Sequence, residues 1–491
     1  MKPGESFKGA RLFLSASFLL LVAACAFMFP SASMAQKKPK QGGGQQHVFS
    51  GPAPEHPFDI ILARPTSNSI TISVMSAADT NAYIAHGASE AEPTGKTAVA
   101  RLVAGTPFEF NLKDLKPDSR HYYRLHHRSG TSGDFTPGPS GMFQTGRRPG
   151  ESFVFTMQAD SHLDQATRPL VYEKTMANVL ADKTDFHVDL GDTFMTDKYP
   201  NYRDALPQYI AQRYYLGLAG RSAPIFLVQG NHDGERIDRY DGTPNCMPVW
   251  AAQTRRKYFP PVVPNNFYSG SNTEVKHAGK PENYFAFDWG DAQIIALDPF
   301  WTSPRNRKGS AEGNWSRTLG KVQYQWLAKT LATSKAKYKF VFIHHLVGGL
   351  DDSARGGSEA AALYEWGGKG KDGKDEFKAR RPGWEMPIHQ LLARHKVAAV
   401  FHGHDHFFAR QELDGVAYIM VPQPGHPVFD RLRNVEEYGY IRGEFLPPSG
   451  HVRVSVNSEK AMIEYVRAYP ASAETAQRKN GEVASSLAIR R

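Results

Sequence analysis

Only two cysteines, Cys25 and Cys246, occur in 491 residues, which excludes a disulfide framework and a thiolate metal cluster. Cys25 lies in the amino-terminal apolar stretch, so a chain cut after residue 35 keeps one thiol and no internal disulfide. Cys246 then reads as a small packed side chain. A second long apolar run is missing, as is any internal repeat, so neither a multi-span membrane protein nor a solenoid is indicated. The net charge is +10, but no recognition helix or aromatic platform accompanies it. Specific nucleic-acid binding is therefore not expected, and the charge serves solubility or attracts small anions.

What the amino terminus does contain is a secretory signal over residues 1–35. Lys2, Lys8 and Arg11 precede an apolar run at 12–29, and Ser33-Met34-Ala35 offers small residues for cleavage. Two other readings share the stretch. Val22-Ala23-Ala24-Cys25 resembles a lipobox, which would attach the protein to a membrane surface through Cys25. The run is also nearly long enough to remain as an anchor. Simple export is preferred, because Ala26-Phe27-Met28-Phe29 stays apolar past the cysteine. All three readings put the rest of the chain outside the cytoplasm, in the periplasm or beyond.

At this length two domains are expected. Residues 36–52 are polar, basic and glycine-rich, the composition of a flexible linker. Over 53–147 short runs alternate at 59–62, 69–74, 82–86, 108–112 and 122–126 with turn residues between, which predicts a small all-β sandwich. Residues 150–469 change character. Apolar, β-rich runs alternate with helical candidates at 168–182, 203–218, 320–334 and 387–395, the pattern of an α/β domain. The 320–334 helix is predicted to bury Val322, Trp326, Leu327 and Leu331. Gly290-Asp291 marks a hairpin, 349–381 a polar lid-like loop, and 439–469 further strands of the second sheet. Residues 470–491 lack an apolar period and are predicted to be a disordered tail.

Five motifs each follow one of the apolar runs: Asp160-Ser161-His162, Gly191-Asp192, Gly230-Asn231-His232-Asp233, His344-His345 and Gly403-His404-Asp405-His406. Strand ends of an open α/β sheet bring such residues to one rim. Carboxylate, amide and imidazole donors without thiolate suit two divalent transition-metal ions such as Fe, Mn or Zn. Such a pair, about 3.5–4 Å apart, makes hydroxide available near neutral pH and neutralises phosphoryl charge. Asp192 is the natural shared carboxylate. Asp160 with His162, and His404 with His406, alternate along extended backbone, with Gly403 permitting a tight turn. His232 is free to face a phosphate, and Asp233 is expected to orient its ring. Each motif alone is weak; their order and spacing are not.

The set resembles the calcineurin-like metallophosphoesterase superfamily, whose pattern is D-x-H, G-D, G-N-H-[DE], H, G-H-x-H. The resemblance covers about 150–430 and includes Gln325-Trp326-Leu327 and the run 284–298. It implies a four-layer α/β/β/α sandwich. It also implies one metal on Asp160, His162, Asp192 and His406, another on Asp192, Asn231, His344 and His404, and His232 as the catalytic histidine. His344 is preferred to His345 as the ligand because it directly follows Ile343, although Leu346 stands where the family has proline.

The loop-to-strand stretch 115–125 resembles the corner of fibronectin type III-like domains, with His121 in place of the family's tyrosine. That substitution puts the corner hydrogen bond in question. A β-sandwich before such a catalytic domain is similar to the purple acid phosphatase arrangement. His162, and Met195 where that group has tyrosine, depart from it, so no tyrosinate–iron bond is expected.

The implied activity is an exported dinuclear-metal phosphohydrolase that uses metal-bound hydroxide on small phosphate esters, monoesters favoured. The alternatives are a phosphodiesterase acting on nucleotides or phospholipid head groups, and a surface binding module with a vestigial metal domain. Arg239, Arg380 and Arg381 are candidate phosphate contacts, although solvated charge is the plainer reading of each.

Overall fold

All five motifs lie at the ends of strands that are apolar on both faces. In the computed structural model, which describes residues 49–164, 166–304, 312–351 and 353–491, these strands form two stacked sheets. The expected signal, Cys25 and most of the 36–52 tether lie outside the described residues. The first sheet runs in the order Ile225–Leu227, Phe186–Asp189, Phe153–Gln158, Gly450–Val456, Ala461–Arg467, Val483–Ile489, its first three strands parallel. The second contains the parallel set Ala292–Ala296, Tyr338–Phe342, Ala399–His402 and Val416–Met420.

Side-chain alternation explains the continuous apolar runs. Phe155, Met157, Phe340, Phe342 and Phe401 fill the space between the sheets. Their neighbours Val341, Ile343 and Val400 pack under the helices Gly320–Thr333 and Ile388–Arg394. The helices Pro169–Ala181 and Tyr202–Gly220 cover the other outer face through Tyr172, Met176, Tyr209 and Leu216. The result is the expected α/β/β/α stack, since a sheet covered on both faces needs apolar residues on both. Among the described residues no helix is long and apolar enough to cross a membrane.

Three expectations need correction. Residues 470–491 are not disordered throughout: Val483–Ile489 pairs antiparallel with Ala461–Arg467, and Leu487 and Ile489 pack on the core. The run is short and built largely of small residues, so it shows no helical period and only weak alternation. Gly450–Val456 and Ala461–Arg467 join the first motif sheet, and only Glu444–Leu446 joins the other. In the Gly320–Thr333 helix the buried stripe is Gln323, Tyr324, Leu327 and Leu331, whereas Val322 is 66% exposed. The structure adds a helix that periodicity missed, Met247–Tyr258, whose first turn carries Pro248.

The front region is a β-sandwich of one sheet built from Phe58–Ala63, Ile70–Ser76 and Phe108–Leu112, and another built around Thr80–Gly87, Arg120–Arg128 and Thr136–Gln144. Its core is Leu62, Ile72 and Val74 against Ile84, Tyr123 and Leu125. Ile70–Ser76 is buried at every position because the back of its sheet is covered too: Ile61 and Met75 pack with Tyr209 and Leu216 of the α/β half. Contacts thus make the sandwich and the α/β half one compact unit. His121 supplies the corner bond after all, its Nε2–H donating to the Lys116 carbonyl at 3.1 Å.

The junction is polar as well as apolar. The Tyr123 hydroxyl donates to the Arg221 carbonyl at 2.7 Å. Arg213, fully buried, donates to the Ser73 carbonyl at 3.1 Å and to the Tyr258 carbonyl. Arg213→Met would strand those acceptors, so a loss of about 1–3 kcal/mol is expected in urea unfolding. A change below about 0.5 kcal/mol would show that Arg213 does not tie the two halves together.

Candidate metal centre

Backbone comes first in this site. The Asp160 N–H donates to the Gly191 carbonyl at 2.9 Å and the His162 N–H to the Asp192 carbonyl at 3.1 Å, locking the first two motif loops together. The third loop is pressed onto them: a Cβ on Gly230 would lie 2.0 Å from the Asp192 nitrogen. The fifth joins through Gly403, where a Cβ would lie 2.6 Å from the Ala159 Cβ and 2.9 Å from Asp160 Oδ2. Gly403 therefore serves close approach and not a turn, because its φ is not positive. The left-handed conformation falls on the functional residues themselves: Asp160, Asp192, His404 and His406 have φ of 57°, 51°, 81° and 66°. Non-glycine residues hold that region at a cost of order 1–3 kcal/mol each, and they cluster at functional sites.

Onto this frame the side chains converge. His344, fully buried, donates from Nδ1 to the Leu190 carbonyl at 2.9 Å, which turns Nε2 towards the site. There Nε2 stands 3.0 Å from Asn231 Oδ1 and 3.3 Å from Asp192 Oδ2. Asp192, His344 and His404 each bring a ligand atom to within 4.8 Å of the others. Beside them Asp160 Oδ2 accepts the His404 N–H at 2.8 Å, while Oδ1 is 3.4 Å from His406 Nε2. The His406 ring centroid is 5.2 Å from that of His162, whose Nδ1 is 3.2 Å from Asp164. Asn231 thus adjoins the Asp192–His344–His404 group through His344, and Asp160, His406 and His162 adjoin it in a chain of contacts from His404.

His345 adjoins the group, its ring 5.2 Å from that of His404, but is not one of the three residues whose ligand atoms lie within 4.8 Å of one another. Its Nδ1 meets the Leu346 carbonyl at 3.1 Å and its ring stands edge-on to Phe300.

The electrostatics suit cations. Burial presses Asp192 towards protonation, yet His344 and its neighbouring imidazoles draw it well below the usual carboxylate range. Burial likewise disfavours charge on His344, but the Asp192 carboxylate overrides it and lifts the pKa to about 10. Asp160 Oδ1 is buried and accepts no hydrogen bond. Hard oxygens and imidazole nitrogens around an orphaned carboxylate oxygen form a donor set that fits divalent transition ions.

The partner of His232 differs from expectation. Its Nδ1–H donates at 2.8 Å to Asp197, not Asp233. Asp233 instead turns back to accept the N–H groups of Gly230, Asp192 and Phe194 at 2.6, 3.1 and 2.8 Å. Its place beside His232 in sequence suggested an orienting role, but three nearby backbone donors claim its oxygens. Asp197 was missed because only its distance past Asp192 hints at it. It is held in turn by Arg239 at 3.3 Å.

Asp189 was missed too, although an acid inside an apolar strand is a signal. It accepts from Gln158, Ser161 and Thr193 at 2.7, 2.7 and 2.6 Å, directly behind the first motif. Of the other candidate arginines, Arg381 binds buried Glu365 and Arg380 binds Glu376, so both are engaged in structure.

Comparison with known proteins agrees with this geometry. The family model described as calcineurin-like phosphoesterase matches residues 156–408, which contain all five motifs. No curated protein matches the chain. Among solved structures it is similar to PhoD, at 16% identity and TM-score 0.61 over 89% of this chain and 90% of that one. It is also similar to purple acid phosphatase PPD1 from yellow lupin (Lupinus luteus) seeds, at 17% identity and TM-score 0.54 over 88% of this chain and 74% of that one. At such identities the likeness concerns fold, front β-sandwich included. With a family match over more than half its length, the chain belongs to the calcineurin-like phosphoesterases and is a metal-dependent phosphoester hydrolase.

Proposed function

We propose that the protein is an exported phosphomonoesterase with a dinuclear metal centre. The observation that supports this reading is the approach of Asp192, His344 and His404 to within 4.8 Å of one another, with Asn231 beside His344, Asp160 between His404 and His406, and the His232 N–H on Asp192. Asp160, His162, Asp192 and His406 would hold one cation; Asp192, Asn231, His344 and His404 the other. When bound, the pair supplies Lewis acidity: it neutralises phosphate charge and lowers the pKa of water.

The chain's own residues do the rest. Asp192 would offer its one carboxylate to both cations. His232 is 27% exposed, so its Nε2 is open to substrate while Nδ1–H is tied to Asp197. Held so, the ring is oriented with Nε2 towards the leaving oxygen, where it can pass on a proton. Arg239, held on Asp197 beside His232, brings a cation to this rim, which suits the dianion of a monoester. Export rests on the apolar and cationic pattern of residues 1–35.

The direct test is turnover of p-nitrophenyl phosphate against bis(p-nitrophenyl) phosphate with manganese, zinc or iron. Monoester preference that chelator abolishes and metal restores is expected. Preference for the diester would favour the phosphodiesterase, and inactivity with every metal the binding module. Asp192→Asn should lower metal content and activity together, by 10-fold to 100-fold or more. His232→Ala should slow turnover about 10²–10⁴-fold with metal content unchanged by elemental analysis. Asp197→Asn should fall between His232→Ala and wild type, again with full metal. Metal loss in either of these two variants would remove His232 from the acid role.

A further inference from the structure

His404 is gripped from outside its own motif. Its Nε2–H donates to the Ser353 carbonyl at 2.7 Å, and its own carbonyl accepts from Arg355 Nη1 at 2.6 Å. The same Nη1 donates to Asp405 Oδ1 at 2.7 Å, while Asp405 Oδ2 accepts from the Tyr440 hydroxyl at 2.7 Å and the Gly356 N–H at 3.2 Å. Asp405 is 6% exposed, and the Arg355 guanidinium lies 4.4 Å from the Tyr438 ring centre. Asp351 folds the segment by accepting the N–H groups of Ser353 and Arg355 at 2.9 and 3.0 Å. The start of the loop expected to act as a lid is therefore latched to the fifth motif.

We propose that Ser353, Arg355 and Asp405 form a collar that fixes His404 in one ring orientation and one tautomer, presenting Nδ1 to Asp192 and His344. A carbonyl can only accept, so the contact with Ser353 puts the ring proton on Nε2 and leaves Nδ1 as the free lone pair. The Arg355 bond to the His404 carbonyl braces a backbone that sits at φ 81° and would otherwise relax. Arg355 is thus a positioning residue, acting through His404. Outer partners of this kind set how tightly a metal is held. The inference rests on the dinuclear reading above and assigns the collar to one of its two positions.

Cobalt(II) titration of the chelator-stripped full chain, followed by visible absorption and calorimetry, tests it. Wild type should bind two equivalents. Arg355→Met should weaken one of them 10-fold to 100-fold and leave the other unchanged. Arg355→Lys, which restores the charge beside Asp405, should recover part of the loss. Asp405→Asn, which keeps the shape, should weaken the same equivalent and decides the matter if Arg355→Met does not fold. Unchanged affinities in the folded variants would overturn the collar alone, as would equal weakening of both equivalents with a lowered melting temperature of the metal-free protein. Wild type that takes up no cobalt would overturn the metal centre, and the collar with it.

Discussion

Two carboxylates, Asp160 and Asp192, are buried side by side, and the rest of the site follows from that constraint. Charges removed from water must find counter-charge or be protonated, and like charges close together cannot both persist unaided. Here imidazole rings and backbone N–H groups surround them: His344 3.3 Å from Asp192, His406 3.4 Å from Asp160, and the N–H groups of His232 and His404 donating to the two acids. Asp160 Oδ1 is still left without a hydrogen bond. Divalent cations would complete such an arrangement and supply the Lewis acidity that a metal-dependent phosphoester hydrolase uses.

The fold meets the constraint by geometry. Three motif strands lie in one sheet and two in the facing sheet, so ligands reach Asp192 from both sides of the seam. Gly230 lets the third loop touch the Asp192 backbone and Gly403 lets the fifth close on the side chains of Ala159 and Asp160, while four site residues hold left-handed φ values. Helices on both outer faces and the front sandwich clamp the frame from outside, Arg213 crossing the junction. Local strain at the centre is thus offset by well-packed surroundings.

Much of this was legible in the sequence because the motifs are local and the strands are long in apolar residues. Asp192, His344 and His404 come together as one group, and both cores follow the alternation of the runs. What the sequence hid was non-local. Asp197 rather than Asp233 reaches His232, because backbone N–H groups capture the nearer acid. The Val483–Ile489 strand carries too few large apolar residues to stand out from a polar tail, yet it finds a partner edge. The contact of the sandwich with the Tyr202–Gly220 helix appears in sequence only as runs more apolar than a sandwich requires. The grip of Arg355 on the fifth motif spans about fifty residues, beyond what any spacing rule reads.

Anomalous diffraction from crystals of the full chain grown with manganese or zinc tests the central claim most directly. Two peaks are predicted about 3.5–4 Å apart, one beside Asp160, His162 and His406, the other beside Asn231, His344 and His404, with Asp192 between. No peak there, or a single ion held elsewhere on the protein, would contradict it.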